Sequence, residues 1–70
     1  MNFKCKLKLI LTEKEIKYGE FAAQVKVSLA TMSGLMNNRT LPSFAVAYRI
    51  SEVLEMDIKE IWIKIEEEEN

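Results

Sequence analysis

Few side chains in this chain are suited to catalysis or metal binding. The 70 residues include no histidine and only one cysteine, Cys5. Zinc sites, histidine-based triads and disulfide frameworks therefore lack the ligands, the base and the paired sulfurs that they need. Cys5 has no partner cysteine, which favours a packing role over redox sensing. From this inventory we predict a protein that is not an enzyme and has no cofactor and no metal site.

Basic side chains suited to binding lie mainly in the first 49 residues. Basic, hydroxyl and amide groups donate hydrogen bonds to phosphate oxygens. Residues 1–49 carry eight basic and three acidic side chains, whereas residues 50–70 carry two basic and eight acidic ones. This asymmetry is compatible with a polyanionic partner, although charge alone does not identify one.

Helices must position these groups, and the spacing of apolar residues predicts five helices. The expected spans are about 2–14, 18–24, 29–37, 44–54 and 58–63. Asn2, Ser28 and Ser43 are placed to cap the first, third and fourth helices. Asn38 suits a left-handed residue at the end of the third helix. The apolar face of the fourth helix is expected to contain Phe44, Ala47, Ile50, Val53 and Leu54.

Two segments also alternate between apolar and polar residues, which leaves a strand open as an alternative. Residues 3–9 alternate until Ile10 and Leu11 break the pattern, and a helix is preferred there. Residues 62–66 alternate in the same way and could form a short edge strand that pairs with its symmetry mate.

Length and composition indicate one all-α domain. We expect a compact five-helix bundle over residues 1–65, followed by an acidic tail over residues 66–70. No apolar run approaches the roughly 20 residues that cross a bilayer, and the lysine-rich start lacks the features of a signal peptide. The expected location is the cytoplasm, without membrane contact.

The second and third helices are joined by only three or four residues, which is the geometry of a helix-turn-helix. The residues that match a family pattern here are Ile16, Phe21-Ala22, Val25, Val27-Ser28, Thr31-Met32-Ser33, Leu35, Asn37, Pro42-Ser43, Ile50, Val53-Leu54, Ile58 and Glu60-Ile61-Trp62. On these residues the sequence resembles the phage-repressor and Cro-like helix-turn-helix family, also called Xre, over about Leu7 to Trp62. The resemblance implies a lambda-repressor-like DNA-binding domain.

The resemblance also implies which residues meet DNA. The recognition helix would be about residues 28–37, lying in the major groove with Leu29, Ala30 and Gly34 at base edges and Thr31 and Ser33 nearby. Leu29 and Ala30 can offer only apolar contact, for example to a thymine methyl group. Phosphates would meet the helix N-termini near Tyr18, Leu29 and Phe44 and the hydroxyls of Ser28 and Ser43. The flanking residues would be Lys17, Asn37, Asn38, Arg39 and Thr40.

The chain departs from the family pattern in two respects, at three positions. Where many members have an ion pair of Arg and Glu, this chain has Leu11 and Met36, and we predict that these two side chains contact each other. Exchanging both partners for apolar residues can be neutral or stabilising. Lys26 stands where the family often has a left-handed Gly, so we predict a positive φ there at a cost of about 1 kcal/mol.

The function implied is that of a transcriptional regulator, repressor or Cro-like, of phage or mobile-element type. It would bind a pseudo-palindromic operator in double-stranded DNA as a homodimer, formed either free or only on DNA. The expected dimer interface is Met56, Ile58 and Trp62, unless these residues fold back on the first helix. A protein-interaction module, antirepressor or antitoxin-like, is the alternative, using the third helix or the acidic tail.

Overall fold

The computed structural model describes residues 2–66 and has five helices around one apolar core, with a two-stranded sheet at the ends of the chain. The elements are β1 (Phe3–Cys5), α1 (Leu7–Glu13), α2 (Tyr18–Gln24), α3 (Leu29–Met36), α4 (Phe44–Leu54), α5 (Ile58–Ile61) and β2 (Trp62–Lys64). The predicted helical bundle is therefore confirmed, with two short strands added. The acidic tail predicted for residues 66–70 lies, apart from Glu66, outside the described residues.

The start of the chain is a strand, so the prediction of a helix from residue 2 is wrong. β1 pairs antiparallel with β2, with Cys5 opposite Trp62 and Phe3 opposite Lys64. The Ile65 amide donates to the Asn2 carbonyl at 2.7 Å, so Asn2 extends the sheet and does not cap a helix. The period-two alternation of residues 3–5 was the correct indication, because it turns Cys5 into the core.

The end of the chain differs from its prediction in the same way. α5 ends at Ile61, two residues earlier than expected, and the chain continues as β2. The alternation of residues 62–64 correctly indicates a strand, but its partner is β1 of the same chain and not a symmetry mate. This pairing ties the two ends of the described chain together.

The core is built from one face of each helix. Its buried members are Cys5, Leu7, Ile10, Leu11, Phe21, Ala22, Val25, Met32, Leu35, Ala47, Ile50, Leu54, Ile61 and Trp62. On α4 the prediction fails for Phe44, which is 77% exposed at the first position of the helix; its ring is instead tilted by 50° against that of Tyr48, with the ring centroids 5.9 Å apart. Val53 is also exposed, which leaves Ala47, Ile50 and Leu54 as the buried face of α4.

Two of the three predicted capping residues, Ser28 and Ser43, are confirmed. The Oγ atoms of Ser28 and Ser43 accept hydrogen bonds from the amides of Thr31 and Val46, at 3.0 and 3.2 Å. α5 begins with a capping box formed by Asp57 and Glu60.

Within residues 2–66 no helix is long and apolar enough to span a bilayer, and no three cysteine or carboxylate side chains cluster as metal ligands would.

Candidate nucleic-acid interface

The turn between α2 and α3 has the predicted left-handed residue. Lys26 has φ 64°, and its side chain is exposed. Val25 before it is fully buried, and Val27 after it is half-buried against the core. The Val27 amide donates to the Ala22 carbonyl at 3.0 Å, which closes the turn. The packing of Val25 and Val27 against the core therefore holds the strained backbone of Lys26 in place.

Arg49 on α4 makes a second connection to this turn. Its Nε–H donates to the Val25 carbonyl at 2.8 Å, across 24 residues of sequence, in a partly buried position. The sequence shows Arg49 only as one more basic residue, because nothing local marks it as a partner of the turn. Arg49 thus links α4 to the point where the chain changes direction between α2 and α3.

The residues predicted to face base edges divide into exposed and covered ones. Leu29 is 56% exposed, and Ala30 and Thr31 are exposed beside it on the first turn of α3. Gly34 differs from the prediction because it is buried: its carbonyl accepts from the Arg39 amide at 2.8 Å, and Thr40 Oγ1 lies 3.3 Å from where a Cβ would stand. The loop after α3 folds over Gly34 and removes it from the exposed surface.

Polar groups on α3 are bonded to one another. Ser28 Oγ donates to Thr31 Oγ1 at 3.0 Å at the start of the helix. At its end, Ser33 Oγ accepts from Asn37 Nδ2 at 3.2 Å and from Arg39 Nη2 at 3.4 Å. The guanidinium of Arg39 therefore lies back along the exposed side of α3.

Asn38 has a structural role that the sequence only partly indicates. Its φ of 62° confirms the predicted left-handed end of α3. Its side chain is half-buried, and Oδ1 accepts from the Cys5 amide of β1 at 3.2 Å. The amide oxygen of Asn38 thus faces the sheet, while Arg39 and Thr40 stay exposed.

Several predicted contact residues come together around one open cavity of about 890 Å³ between α1, α2 and α3. Lys17, Tyr18, Leu29, Ser33 and Asn37 all line it. Leu11 and Met36 line it too, as expected of neighbours, and their direct contact stays a prediction. Ser43 is exposed at the start of α4 and is not among the lining residues.

The residues predicted for a dimer contact are partly used within the chain. Trp62 is buried opposite Cys5, whereas Met56 and Ile58 are half-buried against the core.

Burial raises the pKa of the Cys5 thiol, and a hydrogen bond from the Leu7 backbone opposes this shift without cancelling it. The neutral thiol is therefore favoured, in keeping with a packing role.

The comparison with protein families agrees with this geometry. A family profile described as the Cro/C1-type HTH DNA-binding domain matches residues 6–67. No curated protein matches the chain. The matched span contains α1 to α5 and β2, and with them the capped α3 and the left-handed turn before it. The chain therefore belongs to the family of Cro/C1-type helix-turn-helix DNA-binding domains.

Proposed function

We propose that this protein is a sequence-specific regulator of transcription, repressor or Cro-like, that places α3 in the major groove of double-stranded DNA. The observation that carries the proposal is the α2–turn–α3 unit, with its Ser28 cap and left-handed Lys26, inside a domain of a DNA-binding family. A short helix of this kind fits the major groove with its first residues at base edges.

Phosphate contacts would come from both sides of α3. The first turns of α3 and α4 have backbone N–H groups that are free of helical partners, apart from those bound by Ser28 and Ser43. Lys17, Tyr18, Arg39 and Thr40 are exposed and add hydroxyl and basic groups. Such contacts fix the position of the protein on DNA without reading its sequence.

We further propose that the chain binds a pseudo-palindromic operator as a symmetric homodimer. The contact would use Met56 and Ile58, which are half-buried in one chain, and the exposed Ile63 on β2. Trp62 is already buried in its own chain and adds little to such a contact. Sedimentation of the protein with and without its duplex, and the number of chains per duplex, would test this arrangement.

The decisive experiment is selection from a random duplex library, followed by affinity measurements between 50 and 200 mM salt. Several neutralised phosphates make the affinity fall steeply over this range. Arg39→Ala should lower the affinity and reduce the salt slope by about 1, whereas Lys59→Ala, an equal change of charge on α5, should do neither. Affinity no tighter than the roughly 10⁻⁴ to 10⁻⁶ M of non-specific binding would contradict the proposal.

A protein-interaction module is the second candidate, favoured by the apolar Leu29 on the exposed side of α3. In that case α3 would dock against a protein groove and not against base edges. Leu29→Asp would then abolish binding to the partner protein, while any weak affinity for DNA would be set by charge alone and would not depend on base sequence.

A further inference from the structure

The outer side of α3 offers little free hydrogen-bonding capacity. The helix sequence Leu29–Met36 contains no charged residue, no asparagine and no glutamine. Both of its hydroxyl oxygens already accept hydrogen bonds, Thr31 Oγ1 from Ser28 and Ser33 Oγ from Asn37 and Arg39. A donor group on a base would have to compete with these bonds, so each hydroxyl can offer a base edge mainly its O–H.

An apolar patch remains, formed by Leu29 and Ala30. Leu29 is 56% exposed, yet its Cδ2 lies 3.7 Å from where a Cβ would stand on Gly19, in contact range of the first turn of α2. The side chain is therefore supported on one side by α2, while more than half of the residue stays exposed. Gly34, the third position expected at base edges, is covered by Thr40 and contributes nothing to this patch.

Only one kind of apolar group stands on a base edge in the major groove. It is the C5-methyl group of thymine, which 5-methylcytosine shares. We propose that the apolar patch of Leu29 and Ala30 binds a pyrimidine C5-methyl group, so that each half-site is recognised through a methylated pyrimidine. This inference rests on the proposed function, since it assumes that α3 faces the major groove.

The experiment uses the full chain and the duplex enriched by selection, in which each thymine is replaced by uracil, one at a time. Uracil pairs as thymine does but lacks the methyl group. Burial of one methyl group corresponds to roughly a fourfold change in affinity. We expect a loss of this size at one or two positions of each half-site and little change at the others.

A second arm distinguishes the two sources of the methyl group. At each methyl-sensitive position the T·A pair is replaced by C·G, with cytosine or with 5-methylcytosine. If the patch binds the methyl group itself, 5-methylcytosine should bind roughly fourfold more tightly than cytosine. Equal affinity for the two cytosines would contradict methyl binding, because the methyl group is then the only difference between the duplexes.

Matched variants assign the effect to a residue. Leu29→Ala should reduce the thymine-to-uracil affinity ratio towards one. Leu9→Ala removes the same side chain from a site on α1 with similar exposure, 50%, and should leave the ratio unchanged. A ratio that persists in Leu29→Ala would overturn the assignment. The uracil series on the unaltered protein is informative even if that variant does not fold.

Two outcomes separate failure of this inference from failure of the proposed function. Specific, salt-dependent binding in which every uracil duplex stays within about 1.5-fold of its thymine counterpart would overturn methyl binding and leave DNA regulation intact. A selection that enriches no duplex at all would overturn both.

Discussion

Replacement of Arg49 by methionine would test whether α4 stabilises the turn of the helix-turn-helix. Methionine keeps an apolar stem of similar reach but cannot donate to the Val25 carbonyl, which the Arg49 Nε–H reaches at 2.8 Å. A hydrogen bond from a charged group contributes about 1.5–3 kcal/mol. We expect Arg49→Met to lower the free energy of unfolding by about 2 kcal/mol, which for a domain of this size lowers Tm by about 8–16 °C.

The assay is urea and thermal unfolding followed by far-ultraviolet circular dichroism. Lys14→Met is the matched control, because it removes an equal charge from an exposed residue at the end of α1. The free energy of unfolding of this control should stay within about 0.5 kcal/mol of that of the unaltered protein. Arg49→Lys keeps the charge and a hydrogen-bond donor, so its free energy of unfolding should lie between those of Arg49→Met and Lys14→Met.

A stability loss alone would not separate the turn from general packing, so DNA binding provides a second measurement. If Arg49 orients α3 through the turn, folded Arg49→Met should lose more affinity for the selected duplex than for random DNA. Lys14→Met should weaken both by similar factors. The reasoning is refuted if the free energy of unfolding of Arg49→Met lies within about 0.5 kcal/mol of that of the unaltered protein.

Five further substitutions test three other local features. Ser28→Ala and Ser43→Ala should each cost about 1 kcal/mol of unfolding free energy, because each removes a helix cap; a loss below about 0.3 kcal/mol in urea unfolding would contradict this. Lys26→Gly should stabilise by up to about 1 kcal/mol and Lys26→Val should destabilise, because φ at this position is positive; the opposite order would refute the strain. Burial raises the pKa of the Cys5 thiol above its ordinary value of 9.0, so the unfolded chain loses the thiol proton first as pH rises. Relative to Cys5→Ala, the unaltered protein should therefore lose stability above about pH 9, whereas the difference in unfolding free energy between the two proteins should stay constant at lower pH; a constant difference from pH 7 to 10 would disprove the shift.

The elements of the helix-turn-helix were predictable because their signals are local. Ser28 and Ser43 each precede an amphipathic segment, and the capping bond reaches only three residues along the chain. The spacing of apolar residues gave α2 its observed bounds, Tyr18–Gln24. Asn38 was identified by its place at the end of a helix, where a left-handed residue is common, and Lys26 by the family pattern, which often has a left-handed Gly at that position.

The features that were missed depend on contacts that no local sequence pattern shows. β1 and β2 pair across about 60 residues, and a three-residue strand carries too little pattern to outweigh the helical spacing that begins at Leu7. The bond from Arg49 to Val25 has no local signal. Gly34 looked exposed because its place on the helix puts it outward, and only the fold of the following loop brings Thr40 over it.

The sheet at the ends of the chain also bears on the proposed DNA surface. β1 holds Asn38 through the Cys5 amide, and Asn38 is the left-handed residue from which the loop with Arg39 and Thr40 departs. That loop covers Gly34 and sets Arg39 against Ser33, so the pairing of β1 with β2 limits the position of the basic group nearest α3. The proposed dimer contact includes Ile63 on β2. It would therefore be separated from the loop that carries Arg39 only by the strand β1 and the hydrogen bond from the Cys5 amide to Asn38.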